Sequence, residues 1–114
     1  MLVNYDPRYQ LRDLYFPHVG QENHAGAGPC RFGVYASLPT GSTDRTEERR
    51  KRRLYWTSDS WDISLGYIPD TLATSVTLTH IPLRLQLQCT DVVDFHRPLL
   101  VRRIEVTNNA SEER

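Results

Sequence analysis

Between Trp61 and Cys89, apolar side chains recur at every second position, and that alternation commits this part of the chain to β-structure. Trp61, Ile63, Leu65 and Tyr67 alternate with Asp62, Ser64 and Gly66, the pattern of a strand with one buried face. Pro69-Asp70 ends the run as a turn. Ala73 to Thr79 follows, rich in β-branched residues and therefore strong in strand propensity. Pro82 interrupts, after which Leu83, Leu85, Leu87 and Cys89 alternate with Arg84, Gln86 and Gln88. These three segments are expected to form one antiparallel meander. Val101 to Thr107 reads as a further strand, although Arg102-Arg103 disturbs its alternation and points to a bulge.

The N-terminal half is less regular. Leu2–Tyr5 and Leu11–Phe16 are short strand candidates on either side of an Asp6-Pro7 turn, and Cys30, Phe32 and Val34 alternate in a third. Thr46 to Arg53 is the only helix candidate, and it has no apolar face before Leu54 with which to pack. Residues 37–53 are therefore expected to be an exposed, charged excursion in a hairpin connection. Strands without an amphipathic helix imply an all-β fold, an antiparallel sandwich or part of one. With 114 residues there is room for a single domain.

Lys plus Arg equals Asp plus Glu, 14 of each, so no global field draws the chain toward nucleic acid or a membrane surface. Nothing in the sequence is apolar over the roughly 18 residues a membrane span needs. The segment Met1 to Asp6 lacks the basic and apolar regions of a signal peptide, so the expected compartment is the cytoplasm. Cys30 and Cys89 each fall at an apolar position of a strand-like alternation and are expected to be buried thiols. The basic run Arg49 to Arg53 adjoins Asp44, Glu47 and Glu48 and contains no aromatic, which reads as a solvated loop without nucleic-acid function.

His18, His24, His80 and His96 show no zinc-ligand spacing, and His80 shares a face with Val76 and Leu78, as a core histidine would. Asp91 and Asp94 lie three apart in a strand-like segment and so point to opposite faces. No nucleophile elbow or phosphate-cradling glycine loop is present. Neither a catalytic residue nor a cofactor is expected in this segment.

Residues 17–29 form a long polar loop, a length that in a compact domain is usually functional or disordered. At its start Tyr15, Phe16 and Pro17 are followed within seven residues by His18, Gln21, Glu22, Asn23 and His24. Aromatics beside amides and carboxylates suit a sugar ring or a partner domain, and they also suit a loop packed for structural reasons.

Arg12-Asp13-Leu14-Tyr15-Phe16-Pro17-His18-Val19-Gly20-Gln21-Glu22-Asn23-His24, followed by Arg31-Phe32-Gly33, resembles the N-terminal region of bacterial and archaeal glucoamylases of glycoside hydrolase family 15. The likeness continues through Asp70 to Thr79, Thr90 to His96 and Val101 to Asn108, in one order and over most of the chain. The resemblance implies a large β-sandwich domain preceding an (α/α)6-barrel that hydrolyses α-glucosidic bonds with inversion. An inverting pair of carboxyl groups stands about 6.5–9.5 Å apart, and in this family both are glutamates of the barrel, which nothing here matches.

On this reading the chain is the first part of a larger non-catalytic domain, with residues 37–53 as an insertion. Its partner is the barrel, with α-glucan as a further contact. Tyr15, Phe16 and Pro17 supply apolar contacts and Gln21, Glu22, Asn23 and His24 polar ones. A free-standing carbohydrate-binding module with Trp56 as its stacking platform is the alternative. Half a sandwich also leaves an apolar face that a second copy could cover.

Overall fold

A computed structural model describes residues 1–26, 28–39 and 51–111. The described residues form eight strands and no helix, so the fold is all-β with antiparallel pairing throughout. The strands are β1 (Leu2–Tyr5), β2 (Leu11–Tyr15), β3 (Gly33–Ala36), β4 (Arg53–Trp56), β5 (Asp62–Tyr67), β6 (Thr74–His80), β7 (Leu85–Val93) and β8 (Leu100–Asn108). Strands β1 and β2 make one two-stranded ribbon and β3 and β4 another, while β5-β6-β7-β8 form a four-stranded meander.

The meander follows the alternation. Side chains opposite each other across a ladder share a face, so the pairs Leu65↔Val76, Ile63↔Leu78 and Val76↔Cys89 gather the apolar positions of three strands. Leu78↔Leu87 and His80↔Leu85 continue the same row. Val76, Leu78, Leu87 and Cys89 are fully buried. Strand β8 runs longer than expected, and its register against β7 is unbroken from Leu85↔Asn108 to Val93↔Leu100. The expected bulge at Arg102-Arg103 is absent. Arg102 lies on the inward face, where a buried carboxylate receives it, and the alternation needs no extra residue. The irregularity falls instead in the first ribbon, where the β1–β2 register shifts between Asn4 and Tyr5.

Both ribbons fold back over the meander. Tyr9, from the turn between β1 and β2, and Ala36, from β3, are buried in one core with Trp61, Leu83 and the β6–β7 row. Tyr5, Phe32, Val34, Leu38 and Tyr55 pack against that core. The cover reaches the middle of the sheet and not its margins. Leu65 and Tyr67 on β5 are 43% and 65% exposed, and Ile104 and Val106 on β8 are 42% and 62% exposed. Residues of the N-terminal ribbons thus cover the middle of the inward face, and side chains on its two margins stay exposed.

Two further expectations are corrected. Cys30 is exposed, because it precedes β3 and meets β2 only through an isolated bridge to Leu11; Cys89 alone is buried. The excursion over residues 37–53 ends earlier than expected. Arg53 opens β4, a strand that pairs with β3 from Gly33↔Trp56 to Ala36↔Arg53. The helix candidate at residues 46–53 falls largely outside the described residues, and its last residue is strand. Arg49 and Arg50 also lie outside them, whereas Lys51, Arg52 and Arg53 are exposed.

Candidate functional site

The loop after β2 is fastened at one residue. The Asn23 side-chain oxygen accepts from the Leu14 amide at 3.0 Å and from the Ala25 amide at 3.0 Å. Its amide nitrogen donates to Asp13 Oδ1 at 3.0 Å. The backbone adds His24 N–H to Leu14 O at 2.9 Å and an isolated bridge between Tyr15 and Asn23. The Asn23 side chain is therefore turned into the loop's own scaffold.

Between this anchor and β2 the chain bulges outward. The Phe16–Pro17 peptide is cis, and Gly20 takes a φ of 104°, a conformation that favours glycine. Phe16, Pro17, His18, Gln21, Glu22 and His24 are exposed, and Tyr15 is half-buried. Of the seven residues expected to act together, five form the exposed tip, Tyr15 stands at its root and Asn23 holds its base. Asp13 contributes to that base. Its carboxyl is held below the ordinary 3.8, chiefly by the Arg12 guanidinium at 2.8 Å.

The densest polar constellation lies elsewhere, beneath the first ribbon. Asp91 continues the inward row of Leu85, Leu87 and Cys89 and is 2% exposed. Opposite it across the ladder stands Arg102. Arg102 Nε donates to Asp91 Oδ1 at 2.6 Å and Nη2 to Oδ2 at 3.2 Å, a two-pronged pairing suited to the guanidinium fork. The Tyr9 hydroxyl also donates to Asp91 Oδ2. Thr74 Oγ1 accepts the Asp91 amide at 2.8 Å.

The guanidinium carbon sits 4.6 Å from the Tyr9 ring centre, 5.2 Å from Phe32 and 5.6 Å from Tyr5, all within cation–π range. Burial pushes the Tyr9 hydroxyl well above its ordinary range, and its bond to Asp91 adds to this. Tyr5 is pushed up to about 12 by burial first and then by the Asp91 charge. Its hydroxyl lies buried beside the pair without a hydrogen-bond partner among the described residues. Arg102 is held charged above its ordinary value: burial acts against this, and the bond to Asp91, the charges of Tyr9 and Asp91 and the Tyr5 hydroxyl together outweigh it. The assembly ties the first ribbon, through Tyr9 and Tyr5, and the segment before β3, through Phe32, to β7 and β8.

Sequence reasoning missed this assembly, although its signal was present. Asp91 and Arg102 are charges at positions where the period-two pattern calls for apolar side chains, one on each of two consecutive strands. Both the paired reading and a bulge account for such an interruption, and only the register separates them.

A cleft of about 120 Å³ opens above Asp91, lined by Asn4, Tyr5, Leu65, Tyr67, Thr74 and Leu100 among others. Small-molecule sites usually enclose roughly 300–1,000 Å³, so this one has room for a few waters and not for a sugar ring. His80 is buried as expected. Its Nδ1 accepts the Leu83 amide at 3.1 Å, and its ring is flanked by Tyr55 and Trp61 at centre distances of 5.1 and 5.0 Å. Burial lowers its pKa.

Asp94 lies beyond the end of β7, where its carboxylate accepts the His96 and Arg97 amides at 2.9 and 2.7 Å. Trp56 is half-buried, and the Arg31 guanidinium lies over its ring at 4.4 Å. Among the described residues no three His, Cys, Asp or Glu side chains gather to hold a metal, and no helix is long and apolar enough to cross a membrane. Comparison with protein-family models, with curated proteins and with solved structures finds no match to this chain.

Proposed function

We propose that the chain is a non-catalytic β-domain of a glucoamylase-like α-glucan hydrolase, docking on an (α/α)6-barrel through the loop after β2. The observation that carries this reading is the build of the loop. Its base is hydrogen-bonded to β2 through Asn23, and its tip presents Phe16, Pro17, Gln21, Glu22 and His24 to the outside. A pre-ordered tip with an apolar centre and polar flanks loses little entropy on docking and makes directional contacts.

The reading rests as well on the resemblance to family 15 enzymes. Phe32, Thr74, Asp91 and Arg102 come from four separate stretches of that resemblance and meet in one buried cluster. A carbohydrate-binding module is less well supported, since Arg31 covers one face of its best platform, Trp56.

The test is affinity purification of the tagged chain from its own cells. The expected result is co-purification of an (α/α)6-barrel polypeptide that releases β-glucose from maltooligosaccharides, with Phe16→Ser and His24→Ala together removing it. Recovery of the wild-type chain without such an activity overturns the reading. Saturable binding of maltooligosaccharides by the purified chain, abolished by Trp56→Ala, turns it toward the carbohydrate-binding module.

A further inference from the structure

Strand β8 forms one margin of the four-stranded sheet and, among the described residues, pairs only with β7. Its outer edge is a run of nine residues without proline or bulge, Leu-Val-Arg-Arg-Ile-Glu-Val-Thr-Asn. Val101, Ile104 and Val106 on it are each more than two-fifths exposed. From Leu100 to Thr107 no strand lies beside this edge among the described residues, and such an edge is a template for strand addition. We infer that β8 pairs antiparallel with the β8 of a second copy of this chain, joining two four-stranded sheets into one of eight.

The sequence of the strand selects both the partner and the register. A nine-residue strand has a central residue, Ile104, and pairing it with its own copy lets all nine residues pair, Leu100 opposite Asn108 at each end. In that register Arg103 of one copy stands opposite Glu105 of the other, and the symmetry repeats the pair. Within one chain these two side chains already bond to each other on the exposed outer face, so both are free to exchange partners. A slip of two residues one way sets Arg103 against Arg103, and a slip the other way sets Glu105 against Glu105. Like charges directly opposite are unfavourable, so both neighbouring registers are disfavoured.

The inward face gains as well, because Ile104 meets Ile104 and the exposed Val106 meets the stem of Arg102. The opposite margin offers no equivalent. Strand β5 has six residues, so its full-length self-pairing would set inward side chains against outward ones.

This inference is independent of the proposed barrel partner, and charge reversal in the full chain tests it by light scattering and sedimentation. The wild type is expected to be a dimer at high micromolar concentration. Arg103→Glu and Glu105→Arg, each placing like charges across the seam twice, are expected to weaken association about tenfold or more. An equimolar mixture of the two variants places opposite charges on different chains and is expected to restore the dimer. The R103E/E105R double variant is expected to do the same on its own. Thermal melts confirm that the variants stay folded, and where one does not, the double variant decides. A monomeric wild type, a dimer indifferent to both reversals, or a mixture that stays monomeric overturns the inference.

Discussion

Replacing Arg102 by methionine removes the charge that balances Asp91 while keeping an unbranched stem over the rings of Tyr9, Phe32 and Tyr5. Asp91, at 2% exposure, then keeps the Tyr9 hydroxyl and has no counter-charge. Removing one partner of a buried pair costs about 3–5 kcal/mol. The Arg102 side chain is 26% exposed, so water reaches part of the vacated space and the lower end applies, about 3 kcal/mol. At roughly 4 °C per kcal/mol for a domain of this size, that lowers the melting temperature by about 12 °C.

Urea unfolding followed by circular dichroism reads the change through the midpoint. The control is Asp91→Leu alone and combined with Arg102→Met. Replacing both charges newly deprives only the Tyr9 hydroxyl of its acceptor, so the double variant is expected to lose about 1–2 kcal/mol, less than either single. A loss below about 1 kcal/mol for Arg102→Met, or a double variant that loses the sum of the singles, would refute the account of the pair as a coupled fastening.

Gly33→Ala would place its Cβ 2.9 Å from the Tyr55 carbonyl oxygen and 3.0 Å from Leu54 Cδ1, so the β3–β4 ribbon must shift at a cost of about 1–3 kcal/mol, read by the same urea titration. Asn23→Ala strips the Leu14 and Ala25 amides of their acceptor and should loosen the loop after β2, seen as faster amide exchange at those two residues with the sheet unchanged. In the native chain a thiol reagent should modify one cysteine, the exposed Cys30, and reach Cys89 only on unfolding; two fast-reacting thiols would contradict the burial.

The pH response has two sides. The His80 pKa is lowered by burial, so below its ordinary 6.5 the unfolded chain takes up a proton that the folded chain resists, and stability falls with pH there. His80→Phe should flatten that slope. Cys89 is raised from 9.0 to about 11 and Tyr5 from 10.0 to about 12, both by burial, so their contribution is complete below pH 9 and is lost as pH rises through 11 to 12. Cys89→Ala should remove the earlier part of the alkaline loss.

Alternation alone determined the strands that carry most of the core. A period of two admits one assignment of faces, and at Val76, Leu78, Leu87 and Cys89 that assignment is the buried row of the structure. His80 was placed by the same argument, since it occupies the next inward position. Pro69 and Pro82 marked the breaks, because proline has no backbone N–H to donate to a ladder.

What the sequence could not determine depends on residues far apart in the chain. Tyr9 and Asp91 are separated by 82 positions, and whether a charge on the inward face is an error, a bulge or half of an ion pair depends on which strand lies beside it. Strand β4 follows a charged stretch and, at four residues, is too short for alternation to announce it; it is visible only in its pairing with β3. Cys30 looked apolar in pattern, yet it lies outside β3, which begins at Gly33, and is held only by an isolated bridge to Leu11. Local chemistry sets which face each strand presents. Only the register between strands, the sum of many cross-chain contacts, sets which side chains meet.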